Sequence, residues 1–191
     1  MTPQALFPTV VATSDFSKDL DIPVLLKIIE RQKTNPHSLV DESPSSYGTY
    51  INVLDDIKLE GLKKRIQVEV DNYTELLGLR KVKITGSWFN ILGQGGRVNA
   101  HRHELSVISG AFYVKADPGS VGLRLHSPLA PMRMYEFAEK VNDINSNFWV
   151  MPCYTGQLVL FPSWLEHSTL PNQTESRITV SFNTKYIKEI G

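Results

Sequence analysis

Five histidines occur among the 191 residues, and three of them stand where their side chains can converge. His101 and His103 are two positions apart in NAHRHELSVISGAFYV, at the mouth of a stretch with strand character. Side chains two apart on a strand share a face, so both imidazoles can reach one ion while Arg102 and Glu104 point away. His167 follows the strand-like run of GQLVLFPSWLEHSTLPN, which brings a third imidazole from a second strand. Three such ligands leave open positions on a six-coordinate ion. Ten residues beyond His167, Arg177 in ESRITVSFN shares a strand face with Thr179 and Ser181. A guanidinium among apolar strand residues is costly to bury alone, so an inward Arg177 demands a carboxylate partner.

Each of these signals also has a plainer explanation. An isolated His-x-His is as well explained by a surface pair or a hydrogen-bonded histidine, and an arginine at the solvent end of a strand needs no partner. Tyr113, on the strand after His103, reads as core packing before it reads as a ligand contact. Asn90 and Asn99 can line a pocket or orient a ligand histidine through its second nitrogen, although Asn beside a glycine-rich turn is ordinary loop chemistry. Gln94-Gly95-Gly96 is a turn and no phosphate cradle, because no helix follows it. His37, in a polar loop, reads as inert, and His126 as structural or surface-placed. Trp88, Trp149 and Trp164 read as packing or pocket-rim residues.

The elements that must position these groups change character near residue 80. Before it, Asp21 can cap a helix carrying Pro23 in its first turn, with Ile22, Leu25, Leu26 and Ile29 on one face and an end near Asn35-Pro36. A second helix is predicted from about Asp55 to Leu77, with Gly78 as its left-handed terminator. HSLVDESPSSYGTY between them reads as loop. From Lys81 onward, seven short β-type runs follow: KVKIT, SWFNIL, LSVISGAFYVKA, GLRLHS, NFWVMP, GQLVLFPS and RITVSFNTKYI. Helices followed by continuous strands predict a mainly β fold with flanking helices, an antiparallel sandwich or small barrel. The expected organisation is a single domain over residues 1–191, its helical part at about 1–80 packed on a β core at about 81–191. Leu129 to Asn147 is the longest interruption, either a lid or a surface loop.

Composition removes several partners. The 20 Lys+Arg balance 20 Asp+Glu, so there is no basic field to favour nucleic acid or an anionic membrane. The longest lipophilic stretch, IPVLLKII, is broken by Lys27 and falls far short of the roughly 20 residues of a span. The N-terminus has no secretory or transit pattern, and a lone Cys153 fits a reducing, cytoplasmic setting. Cys153 itself reads as a small buried apolar residue.

His-x-His, then Pro-x4-His after a later strand, then Arg-x-Thr, together resemble the 2-oxoglutarate/iron(II)-dependent oxygenase superfamily. The chain is similar in particular to a group of its members of unassigned substrate, through ALFPTVV, SWFNILGQGGRVNAHRHELSVISGAFYV and GQLVLFPSWLEHSTLPNQTESRITVSFN. The resemblance implies a double-stranded β-helix, the jelly-roll core shared with cupins. It implies Fe(II) as the metal and 2-oxoglutarate as cosubstrate, with oxidative decarboxylation of the latter to succinate and CO2 coupled to hydroxylation of a second substrate. His101 and His167 become metal ligands, Arg177 the partner of the distal 2-oxoglutarate carboxylate, and Thr179 and Tyr113 further cosubstrate contacts. No catalytic residue beyond the metal ligands is implied.

One position departs from the superfamily pattern. His103 stands where Asp or Glu usually completes a two-histidine, one-carboxylate set, leaving the site one charge more positive. Glu104 is the nearest carboxylate, and only a local bulge turns it inward. The alternative reading is a cupin-like metal-binding protein acting as an isomerase, a 2-oxoglutarate-independent dioxygenase or a sensor. Gly156, Pro162 and His167 have the second cupin spacing, but Val107 and Trp164 fall where that pattern expects Glu and Gly, and Arg177-x-Thr179 is unexplained by it. A scaffold without enzymatic function is a third reading. The expected partner is a small-molecule or peptide substrate, and an exposed β-edge or the first helix offers a homodimer contact.

Overall fold

Alternating apolar positions in the second half of the chain give its strands two buried faces, and the two faces do different work. In the computed structural model, which describes all residues except 3, 5, 38, 51, 134–136 and 188–191, and the side chains of all of these except 41 and 42, two sheets form. The larger contains β1 (Ala12–Asp15), β2 (Asn35–His37), β3 (Val40–Ser45), β4 (Val82–Leu92), β5 (Arg97–Val98), β6 (Ile108–Ala116), β9 (Gln157–Pro162) and β11 (Arg177–Tyr186). Its order is β1-β9-β6-β11-β4-β3-β2, with β5 paired to β3. The smaller is β10-β7-β8, formed by His167–Thr169, Leu123–His126 and Phe148–Val150. All pairings between these strands are antiparallel. This is the expected jelly-roll.

The outer face of the large sheet presents Phe89, Phe112, Leu158, Leu160, Val180 and Phe182 to one apolar cluster. Helices α1 (Ile22–Ile29) and α2 (Glu60–Leu76) cover it, contributing Leu25, Leu62, Ile66 and Val70. On the inner face, Tyr113, Val159 and Phe161 pack against Leu123 and Leu125 of the small sheet in a second cluster. Period-two alternation sorts these residues: on β11 the even positions Ile178, Val180 and Phe182 face the helices, while Arg177, Thr179, Ser181 and Asn183 line a cavity between the sheets.

Gly110 on β6 shows how closely the outer face is packed. A Cβ there would sit 2.1 Å from Cζ of Phe182, a fully buried ring. Gly110→Ala is therefore expected to destabilise the protein by about 1–3 kcal/mol through overpacking. In a chain of this size that lowers Tm by roughly 2–12 °C, measurable by thermal melting.

Several expectations are corrected. α1 ends at Ile29, well short of Asn35-Pro36, which begin β2. Asp21 does not cap it; its carboxylate accepts from Arg65 of α2 at 2.7 Å instead. α2 starts at Glu60, after two 3-10 turns at Val53–Asp55 and Ile57–Leu59, and Gly78 has the expected left-handed φ of 65°. The supposed loop contains β3, which pairs Ser45 with Asn90. KVKIT and SWFNIL form one strand, because Gly86 marks a bulge opposite Asn183/Thr184 and not a break. In Leu129 to Asn147, residues 134–136 lie outside the described residues; Phe137, Val141 and Ile144 are exposed, and none of its described residues lines the central cavity.

Candidate metal centre

His101 and His103 precede β6 in an extended segment held by backbone pairing. His101 and His167 exchange two N–H···O bonds of 3.0 Å, and the His103 N–H donates to the Ser163 carbonyl at 3.0 Å. The chain then turns at Glu104-Leu105, with Leu105 at φ 61°. The short bridge sets the two strands so that all three imidazoles meet: one ligand nitrogen from each of His101, His103 and His167 lies within 4.8 Å of the others.

The hydrogen bonds also select the tautomer. His101 Nδ1 lies 2.8 Å from the Asn99 carbonyl and His167 Nδ1 lies 2.9 Å from the Leu165 carbonyl. A carbonyl only accepts, so each Nδ1 carries the proton and each Nε2 keeps its lone pair for a ligand. The backbone oxygen of Asn99 thus orients the His101 ring. Burial, and then the neighbouring imidazoles, push His103 down to about 4 and His167 to about 3; burial also lowers His101. The three rings are neutral at pH 7, the form that binds metal.

Depressed histidine pKa values make stability depend on pH in a fixed direction. The unfolded chain takes up protons near its ordinary value of about 6.5, whereas folded His103 and His167 resist protonation until the pH is far lower. Stability is full above that value and is lost as pH falls from there toward 3. The metal-free protein is expected to lose on the order of 1–3 kcal/mol between pH 7 and pH 5, read by urea denaturation at the two values. Equal stability at both would contradict neutral, desolvated rings.

A cavity of about 380 Å³ extends from the triad between the sheets. Arg177 lines it at 2% exposure, inward as expected. Its Nη1 donates to the Val121 carbonyl, its guanidinium carbon stands 5.6 Å from the Tyr113 ring centroid, and its Nε has no partner. Among the described residues no carboxylate pairs with it. Thr179 Oγ1, buried in the same cavity, is also without a partner, as is Asn90 Oδ1. Tyr113 is fully buried and burial pushes its phenol up to about 12; the hydroxyl accepts from the Leu123 N–H at 2.9 Å and keeps its own proton to donate. A guanidinium N–H, a threonine hydroxyl and a phenol therefore line one cavity without an acidic partner among the described residues. That set fits a bound carboxylate.

The remaining positions divide cleanly. Glu104 is exposed at the cavity wall and lies outside the histidine group. His126 binds Ser168 Oγ through Nε2 at 2.9 Å, a structural contact. Burial pushes the Cys153 thiol up to about 11, in keeping with a packing role. Trp149 and Trp164 are half exposed, whereas Trp88 lines the cavity. Sequence reasoning missed His37 and Tyr47, which also line it. No local signal marks them, because they reach the site only through the pairing of β3 with β4.

Fold and site together define a jelly-roll protein with three histidines grouped closely enough to hold a metal ion and a buried cationic pocket beside them. Residues 86–183 match the family model described as "Putative 2OG-Fe(II) oxygenase", which spans the triad and Arg177. The chain belongs to this family of 2-oxoglutarate- and Fe(II)-dependent oxygenases. Its structure is similar to a Pseudomonas putida prolyl-4-hydroxylase, with 15% identity, 94% of each chain covered and a TM-score of 0.64. It also resembles HygX from Streptomyces hygroscopicus, solved with nickel, 2-oxoglutarate and hygromycin B, at 9% identity over 93% of this chain and 83% of that one, TM-score 0.63. A viral collagen prolyl hydroxylase from Paramecium Bursaria Chlorella virus-1, in its 2-oxoglutarate complex, gives 12% identity, 93% and 96% coverage and a TM-score of 0.59. No curated protein matches the sequence. Among the described residues no helix is long and apolar enough to cross a membrane.

Proposed function

We propose that the protein hydroxylates a small-molecule or peptide substrate, with release of succinate and CO2, using His101, His103 and His167 to hold iron and Arg177 to hold 2-oxoglutarate. The observation that carries this reading is Arg177, a buried guanidinium with an unpartnered Nε and, among the described residues, no acidic partner, in the same cavity as the three histidines. A cupin-like isomerase has no use for it.

Iron and 2-oxoglutarate supply the oxidising chemistry, in which one O2 molecule gives one oxygen to succinate and the other to the hydroxylated product. The chain's own groups bind and orient. His101 and His167 present Nε2 because Asn99 and Leu165 hold their Nδ1 protons. Arg177 and Thr179 take the distal carboxylate, and the Tyr113 hydroxyl, anchored by the Leu123 N–H, donates to the same anion. Phe161, whose ring centroid lies 4.7 Å from that of His167, forms an apolar wall that keeps water from that ligand. His103 is the third ligand in preference to Glu104. A cytoplasmic location and a homodimer remain part of this reading, resting on the lone Cys153 and on the free edge at β8.

The test is an anaerobic titration of the protein with Fe(II) and then 2-oxoglutarate, followed by admission of oxygen. A visible charge-transfer band and then succinate are expected. Metal uptake with neither signal would refute the reading.

A further inference from the structure

One wall of the cavity is left unused by the iron and 2-oxoglutarate groups. Tyr47 stands with its ring centroid 4.8 Å from His37 at an interplanar angle of 84°, and 5.3 Å from Trp88 at 82°. Trp88 in turn lies 5.6 Å from the ring of His103. The three rings thus form a ladder from the metal centre outward, from Trp88 at 9% exposure to Tyr47 at 51%. Tyr47 is fixed in place: the preceding Ser46 exchanges bonds with Phe89 of β4 at 2.9 and 3.0 Å, and the Tyr47 N–H donates to Ser45 Oγ at 3.1 Å.

Glu104 lines the same cavity. Its neighbour Arg102 turns to Glu166 at 3.4 Å, and among the described residues no cation pairs with Glu104. Aromatic faces carry negative potential, so rings that share a cavity with a carboxylate disfavour an anion. Rings set at right angles also discriminate by shape. A flat ligand stacks on one face, whereas a compact cation can meet several faces at once.

We propose that this wall recognises an alkylammonium group on the prime substrate, with Tyr47, Trp88 and His37 presenting rings and Glu104 the counter-charge. Its assignment to a substrate rests on the oxygenase reading, but the binding itself does not. The ladder would hold the charged end away from the triad and leave the adjoining C–H groups facing it.

Choline and its neutral tert-butyl isostere separate charge recognition from shape. Both are titrated calorimetrically into the metal-free protein and into the anaerobic Fe(II)/2-oxoglutarate sample. Choline is expected to bind roughly tenfold more tightly than the isostere, the scale of a partly desolvated cation–π contact. Glu104→Gln, a surface change that spares the fold, should remove most of that preference while leaving isostere binding unchanged, and Tyr47→Ala should weaken both ligands but choline the more, so that the preference shrinks. Equal affinities, no binding of either ligand, or a preference that survives both variants would overturn the proposal. Failure here with the charge-transfer band intact leaves the oxygenase reading standing; choline binding without the band refutes that reading alone.

Discussion

Replacing Arg177 by Ala is expected to weaken 2-oxoglutarate binding by roughly 100-fold or more while metal content stays the same, because truncating one partner of a buried, hydrogen-bonded charge pair costs about 2–5 kcal/mol. Arg177 is 2% exposed and, among the described residues, makes one hydrogen bond to the protein, to the Val121 carbonyl. The rest of its fork is available to a ligand. Arg177→Lys keeps the charge but loses the two-pronged geometry, so it should recover binding only in part. The measurement pairs metal analysis with anaerobic 2-oxoglutarate titration of the visible band. Loss of metal in Arg177→Ala, or an unchanged Kd, would remove the role assigned to this residue.

The complementary result is expected from His167→Ala: metal affinity falls by more than about 100-fold, since even the outer partners of ligand histidines are worth ~10–100-fold. His167 is 4% exposed, and its Nδ1 is committed to the Leu165 carbonyl, so no nearby group can replace its Nε2. Metal content after dialysis against a weak chelator checks this. His103→Asp is an informative companion, because it restores a carboxylate to the set and lowers the site's charge by one. If His103 is the third ligand, that variant retains metal. If Glu104 holds the metal instead, Glu104→Gln strips it.

Much of the site was legible because its parts lie on short motifs. Two-residue spacing aligned His101 with His103, and the same alternation put Arg177 and Thr179 on one inward face. The demand that a buried arginine have a carboxylate was also readable, and no carboxylate among the described residues meets it. The long strands β4, β6, β9 and β11 were visible from their β-branched and aromatic runs. The short ones were not. ATSD, NPH and VDESPS contain Asp, Asn and Pro, and they are strands only because a partner already waits at the sheet edge. His37 and Tyr47 were hidden for the same reason: their place beside Trp88 depends on β3 meeting β4, a contact that no local pattern announces.

The sheet order sets the timetable on which this protein can be made. β11, the last strand in the sequence, sits between β6 and β4, and β1, the first, waits at an edge for β9. A chain emerging from the ribosome cannot zip up its sheet as it grows, because the central strand arrives last. Arg177 comes with that strand, and His167 shortly before it. Chains that end before His167 therefore lack a member of the triad, and those that end before Arg177 have the three histidines without the buried cation beside them.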